Sequence, residues 1–526
     1  MELLTGRKAF LVVAMLAAVA MLLDTAWMGD DAFITLRVID NFVNGFGLRY
    51  NVIERVQVFT HPLWLMLLTP FYALTREAIV TTMGVSVLVS LGALWLLAVK
   101  IAKNIEYGCL MVLLALASRS LSSFFTSGLE NPLTYLLLAL FVWLFYQTEN
   151  ASQSGQTRQS ETVWISAGIA GLLLLNRLDL AVLLGPILVY MLFRARGLDR
   201  VKVAVAAIFP ALTWMVFSII YYGAPFPNTA YAKLGNGIGA GTLILRGLEY
   251  TKDFVLADPL LALIIVKAVF DSLRSRSWPT RLLGIGIVLY VVYTITIGGD
   301  FMSGRFFSSP GFLAVCLLAR LRAPHWLTKR IKAATLIAVG MIAVLLVARA
   351  KEQPDRIEPA NGIADEKRFY YSDNGLLPVL EKWLITGVKP IHPWGLRGEV
   401  FKSRAQAVGR PIVVMEENAG MPGYYAGPTV HILDEMALGD AFLARLPALP
   451  GARVGHYKRV PPPGYAESVL DDAPTTEVGA LRPLLNDVTL TTRAPLFSKG
   501  RWVAIWRLLA GHYSWIYQAV VYGARK

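Results

Sequence analysis

The sequence predicts a polytopic α-helical membrane protein followed by a C-terminal extracytoplasmic domain of mixed α and β structure. Three observations predict it. Of 526 residues, 55% are hydrophobic and only 16% are charged, and mean hydropathy is +0.52, a composition no soluble domain of this size has. Apolar runs of membrane-spanning length recur as far as Arg349 and then stop. Many of the basic residues behind the formal charge of +14 lie in short loops between those runs. That is the signature of cytoplasmic loops rather than of a nucleic-acid face.

The first span covers about 9–28. Arg7 and Lys8 place the N-terminus in the cytoplasm, and no small-residue cleavage site follows cleanly, so the span is read as uncleaved. Asp30 and Asp31 then emerge on the outer face. Phe33, Leu36, Ile39 and Val43 fall at helical spacing with Arg37, Asp40, Asn41 and Asn44 between them, an amphipathic helix at the membrane surface. Helix capping is the simpler reading of the two acids. A polar segment with Asn51, Glu54, Arg55, Gln57 and His61 follows. Pro62–Leu74, about thirteen residues, is too short to cross and is placed as a re-entrant or interfacial helix.

Further spans are expected at 79–99, 107–125, 131–147, 163–176, 179–194, 202–222, 254–271, 281–297, 306–321 and 333–349, about eleven in all. The pair 163–176 and 179–194 also reads as one bent segment. Basic connections at Lys100 and Lys103, Arg194 to Lys202, Arg274 to Arg281 and Arg320 to Lys332 then fall inside, as does the polar connector 148–161. Parity puts five motif-like loops outside. They are Asp30–His61, Ser127–Asn131 (SGLEN), Asn176–Asp179 (NRLD), Tyr221–Lys233 (YYGAPFPNTAYAK) and Gly298–Phe306 (GGDFMSGRF).

Each loop has a structural and a chemical reading. Glu130 caps the following helix or faces a site. Arg177 and Asp179, between two apolar runs, pair with each other or line a polar cavity. The prolines before Asn228 and Lys233 fix a turn or present donors to an anion. The glycines beside Asp300 and Arg305 make a tight turn or admit a ligand close to the backbone. Basic side chains at outer span ends suit a lipid phosphate.

After residue 351 the charge density rises. Ile412–Met415 and Val430–Leu433 read as strands, Ala437–Leu446 as a helix and Leu496–Leu509 as an amphipathic helix. The stretch 417–425 is a structural turn or a substrate contact. Domains are therefore expected at 1–350, the membrane part with its outer first loop 29–61, and at 351–526 outside. Cys109 and Cys316 sit in apolar runs and read as core residues, and no metal-ligand spacing appears.

GDDAFITLRVIDNFVNGFGLRYN, then ERV and HPLW, with SGLEN, NRLD, YGAPFPNTAYAK and GGDFMSGRF, resemble one family. So do MPGYYAG, LARLPA, GHYKRVPPPGYAES and TRAPLFSKGRW. These segments are similar to the GT-C class of polyprenol-phosphate-sugar-dependent membrane glycosyltransferases, and within it to terminal arabinofuranosyltransferases of mycobacterial cell walls. Arg177-Leu178-Asp179 and His61-Pro62-Leu63-Trp64 depart from many relatives, which carry Arg-Pro-Asp and Asn-Pro-Leu-Trp. The resemblance implies an inverting transfer of a pentofuranose, D-arabinofuranose, from a polyprenyl phosphate to an extracytoplasmic glycan or glycoprotein. It implies a bacterial inner-membrane location and a catalytic acid at Asp30 or Asp31.

The residues support the same chemistry. Glycosyl transfer needs a base for the acceptor proton and cations or amides for the leaving phosphate. Arg37, Arg55, Lys233 and Arg305 are phosphate candidates. Asn228 and Asp300 are donor candidates, and Glu54, His61, Glu130, Arg177 and Asp179 are sugar or acceptor candidates. No cofactor beyond the lipid-linked donor and no nucleic-acid partner is expected, and transfer is expected to be metal-independent. A lipid-linked sugar transporter or flippase, and a polymerase or ligase using a diphosphate-linked donor, are the other classes compatible with the sequence.

Overall fold

The computed structural model describes residues 2–153, 159–234, 238–321, 361–449, 455–470, 479 and 481–514. Its contacts divide the chain into two units, and the division departs from 1–350 and 351–526. One unit comprises Met1–Gly29, Ile79–Ala211 and Ala240–Pro390, the other Asp30–Ala78, Leu212–Gly239 and Ile391–Lys526. The stretch from Asp30 to Ala78 thus clusters with the C-terminal residues.

The first unit is helical. It contains α1 (Glu2–Thr25), α4 (Ile79–Leu96) with a π-helical turn Leu97–Ile101, α5 (Ile105–Ala117), α6 (Arg119–Phe124) and α7 (Asn131–Gln153). Next come α8 (Gln159–Asn176), α9 (Leu180–Arg194) and the start of α10 (Gly197–Tyr222). It ends with α12 (Ala240–Ala257), α13 (Pro259–Arg274), α14 (Trp278–Thr296), α15 (Arg305–Arg320), α16 (Glu366–Asn374) and α17 (Leu376–Thr386). Among the described residues, Lys8–Thr25, Ile79–Ile101, Gly197–Tyr222 and Trp278–Thr296 are long and apolar enough to cross a membrane. Shorter apolar helices cover Ile105–Ala117, Val163–Asn176 and Leu180–Arg194, so 163–176 and 179–194 are two helices. The expected span 333–349 lies outside the described residues.

Two expected spans are interrupted at one carboxylate. Asp258 ends α12, accepts from the Leu261 amide at 3.1 Å and so caps α13, with Pro259 at its first turn. Its other oxygen accepts from the Ser118 hydroxyl at 2.6 Å and the Ser120 amide at 2.8 Å, at the break between α5 and α6. The readings 254–271 and 107–125 as single spans are corrected accordingly. A buried carboxylate at a helix end draws the amides that a continuous helix would have used.

Within this unit α7 packs on α4 and α8, α13 on α14 and α15, and α14 on α9. The last contact is backbone against backbone: a Cβ at Gly286 would lie 2.0 Å from the Leu183 carbonyl oxygen. A small residue is required for that approach. It brings Tyr290, one turn further along α14, to the start of α9.

The second unit holds α2 (Asp30–Val43), α3 (Pro62–Thr75), the end of α10 and α11 (Asn228–Leu234). C-terminal to these are α18 (Pro393–Val408), β1 (Ile412–Glu416), α19 (Met421–Ala426), β2 (Val430–Asp434), α20 (Tyr465–Ser468), α21 (Arg482–Arg493) and α22 (Lys499–Leu509). The two strands pair in parallel, Ile412 with Val430 and Glu416 with Asp434. Ala437–Leu446 is a turn and a short 3₁₀ segment rather than a helix. Asp434 accepts from the Met436, Leu438 and Gly439 amides and Asp440 from those of Phe442 and Leu443. Such side-chain bonds outcompete the helical ones.

Phe33, Leu36 and Ile39 of the apolar stripe of α2 are buried as their spacing predicts, but so are Arg37 and Asn41 from its polar face. Arg37 is 2% exposed. Its guanidinium lies over the Tyr50 ring at 4.7 Å and donates to the carbonyls of Tyr50 (2.7 Å), Val430 (2.7 Å) and Gly423. The Asn51 side-chain amide both donates to and accepts from the Ile432 backbone at 3.0 Å, lengthening the pairing of β2. Replacing Arg37 by Ala leaves these buried carbonyls unsatisfied, at about 1–3 kcal/mol each. Lys cannot restore three divergent bonds. Both variants are expected to lower the melting temperature in detergent and to open 391–449 to limited proteolysis.

Candidate functional site

Three of the loop motifs meet within the first unit. NRLD forms the break between α8 and α9, SGLEN precedes α7, and GGDFMSGRF runs into α15. Arg177 grips Asp179 through two bonds, Nε to Oδ1 at 3.1 Å and Nη2 to Oδ2 at 2.6 Å. Tyr290 donates its hydroxyl to the same Asp179 oxygen and lies 3.1 Å from Arg177 Nη2. Glu130 Oε1 is 3.5 Å from Arg177 Nη1 and 3.4 Å from Arg305 Nη2, and Arg305 Nη1 is 3.6 Å from Asp300 Oδ2. Asp300, Arg305, Glu130, Arg177 and Asp179 thus form one chain of alternating charge.

Burial along that chain is graded. The Glu130 side chain is 1% exposed, whereas Asp179 and Arg305 are 17% and 16% exposed. The tight pair is Arg177 with Asp179, while the contacts of Arg305 are long. Arg177 Nη1 and Asp300 Oδ2 are buried and have no hydrogen-bond partner among the described residues. A guanidinium nitrogen in that state offers a donor to an incoming oxygen. Tyr290 was not among the sequence-derived candidates. Its signal was a hydroxyl inside an apolar run, which needs a polar partner when buried.

A second group lies in the other unit, at the start of α2. Asp30 is buried and its two oxygens accept from consecutive amides, Gly420 at 2.9 Å and Met421 at 2.7 Å. Gly420 is required there, because a Cβ would meet the Asp30 carbonyl oxygen at 1.9 Å. The turn 417–425 therefore seats on the first acid of the pair. Burial pushes the Asp30 carboxyl up to about 7, against the opposing pull of the Met421 amide and with a further rise from Asp31. Asp31, in the same first turn, is half-buried.

The remaining candidates are placed as follows. Arg55 donates to the carbonyls of Tyr221 and Ala494, and Asn228 to those of Ala437, Leu438 and Asp440. With Arg37, these side chains hold backbone carbonyls. His61 Nε2 lies 2.8 Å from the Thr35 hydroxyl. Glu54 accepts from Asn51 at 3.4 Å and faces His431 at 3.8 Å. Lys233 is exposed on α11.

Arg177→Met takes a cation from buried Glu130 and half-buried Asp179 and is expected to cost about 3 kcal/mol. Glu130→Gln combined with Arg177→Met should recover part of that loss, read as a non-additive shift in detergent melting temperature. For Asp30 the sign runs against the usual acid. Its folded-state pKa of about 7 lies above the ordinary 3.8, so the stability it contributes is full below pH 4 and is lost as pH rises through 7. The stability advantage of wild type over Asp30→Asn is therefore expected to shrink from pH 5 to pH 8 in thermal melts.

No family profile matches the chain. It is 27% identical to a terminal β-(1→2)-arabinofuranosyltransferase of Mycobacterium tuberculosis, over 85% of this chain and 82% of that protein. The fold matches ArnT from Cupriavidus metallidurans, solved with undecaprenyl phosphate, at a TM-score of 0.50 and 15% identity over 82% of this chain and 87% of the other. It also matches the archaeal oligosaccharyltransferase AglB of Archaeoglobus fulgidus, solved with an inhibitory peptide and a dolichol-phosphate. There the TM-score is 0.50 and the identity 11%, over 81% of this chain and 64% of that one. The chain is a multi-pass membrane enzyme of the GT-C glycosyltransferase fold and a homologue of the terminal arabinofuranosyltransferases.

Proposed function

We propose that the protein transfers a pentofuranose, D-arabinofuranose, from a polyprenyl-phosphate donor to a glycan or glycoprotein acceptor on the extracytoplasmic face of a bacterial inner membrane. The observation that carries the reading is the likeness to a terminal arabinofuranosyltransferase along most of both chains. The undecaprenyl phosphate of one structural neighbour and the dolichol-phosphate of another support a lipid-phosphate donor.

Asp31 is the general base in this reading. Geometry decides before pKa does. Both Asp30 oxygens are committed to the backbone at Gly420 and Met421, whereas Asp31 occupies the next position on the helix. The acceptor hydroxyl gives its proton to Asp31 as its oxygen attacks the anomeric carbon. The bond from that carbon to the phosphate oxygen breaks, inverting the centre, and polyprenyl phosphate leaves with the electron pair. The leaving phosphate needs a cation or amide donor to take up its charge. Transfer needs no metal.

The test is turnover of synthetic decaprenyl-phosphoryl-arabinofuranose by the purified enzyme in detergent. Asp31→Asn is expected to fold and to lose about 10²–10⁴-fold in rate, while Asp30→Asn loses stability first. A diphosphate-linked donor is expected to be inert and a chelator to be without effect. Full activity of Asp31→Asn would remove the base, and equal use of the diphosphate donor would favour the ligase class.

A further inference from the structure

Beside the middle of α7, where the span Ile79–Ile101 ends, lies a feature that the transfer reaction does not use. The π-helical turn Leu97–Ile101 at the end of the span Ile79–Ile101 directs Lys100 toward two indoles. Its ammonium lies 5.7 Å from the Trp95 ring and 5.5 Å from the Trp143 ring. Arg320, the last residue of α15, stacks over Tyr146 at 5.0 Å. The turn is held firmly. Gly108 of α5 packs so closely that a Cβ there would lie 2.4 Å from the Ala98 carbonyl oxygen, and the Lys103 amide donates to the Ala319 carbonyl at 3.1 Å.

These residues enclose a small cleft lined by Lys100, Ile101, Val142, Trp143, Tyr146, Gln147 and Arg320. No acid lines it. Among the described residues neither cation is paired with a carboxylate; each is held by aromatic faces. Cations over rings keep their charge available on the open side. The cleft lies at the end of an apolar span and beside indoles, the depth at which headgroups lie. Trp143 is twelve residues along α7 from Asn131, so the cleft is ~18 Å from the NRLD and SGLEN network along the helix axis.

We propose that this cleft binds the phosphate headgroup of an anionic phospholipid. Lys100 and Arg320 neutralise the phosphate, Gln147 offers an amide to its oxygens, and Ile101, Val142 and Trp143 seat the start of the acyl chains. Two unpaired cations and no acid discriminate against zwitterionic headgroups, whose own cation they repel.

The experiment is native mass spectrometry of the full-length protein titrated with phosphatidylglycerol and, separately, with phosphatidylcholine of identical chains. Wild type is expected to retain one phosphatidylglycerol preferentially. The double variant Lys100→Gln, Arg320→Gln is expected to bind it more weakly, on the order of tenfold, with an unchanged elution volume in size exclusion. Lys100→Arg keeps the charge and should keep the preference, which separates loss of charge from loss of fold. Equal retention of the two lipids, or unchanged retention by the double variant, overturns the assignment. So does displacement of the lipid by excess inorganic phosphate, which would make the cleft a site for a soluble anion.

Discussion

Buried backbone that is neither helix nor strand must still have its carbonyls and amides satisfied, and in the second unit charged side chains meet that demand. Arg37 serves carbonyls of residues 50, 423 and 430. Arg459 serves those of 232, 446 and 457, and Arg501 those of 221, 491 and 496. All three are at most 2% exposed. Each guanidinium replaces hydrogen bonds that water would have made, and its planar fork reaches several carbonyls at once in a way an ammonium does not. Among the described residues the unit has one two-stranded sheet and many connecting segments, so these clamps take over work that a larger sheet would otherwise do.

The first unit solves a different problem with the same residue types. Its ionic chain has three carboxylates and two guanidiniums, so all five ionised would leave one negative charge in a poorly solvated place. Arg177 is spent on Asp179, reinforced by Tyr290. Arg305 is shared between Glu130 and Asp300 at distances of 3.4 and 3.6 Å. Sharing one cation between two acids keeps either from being buried as an uncompensated charge.

Elements with strong periodicity were legible in the sequence. The helix over 30–43, the strands at 412–416 and 430–434, the helix at 499–509 and the paired charges of NRLD follow from spacing and from the cost of burying one charge alone. Elements governed by a single polar side chain were not. A hydropathy window averages over Asp258, yet that one carboxylate interrupts two apolar runs by taking amides and a hydroxyl from both. Asp434 and Asp440 undo the helix expected at 437–446 by the same means. The roles of Arg37, Arg55 and Asn228 were equally hidden, because nothing local reveals which distant carbonyls a side chain will meet.

The adjacent acids show why a motif can hold two jobs in two letters. Successive residues of a helix point about 100° apart, so Asp30 and Asp31 cannot both face the turn at 420–421. Asp30 faces it and fixes it, and the approach is so close that only glycine fits at 420. Asp31 is thereby presented in another direction by a helix that can no longer rotate, since Arg37, two turns along, is bound on three sides. Asparagine at position 30 would keep one acceptor and turn a donor toward the second amide, loosening the helix start. The backbone amides of 420 and 421 thus give the first acid of the pair a structural task and leave the second on another side of the helix.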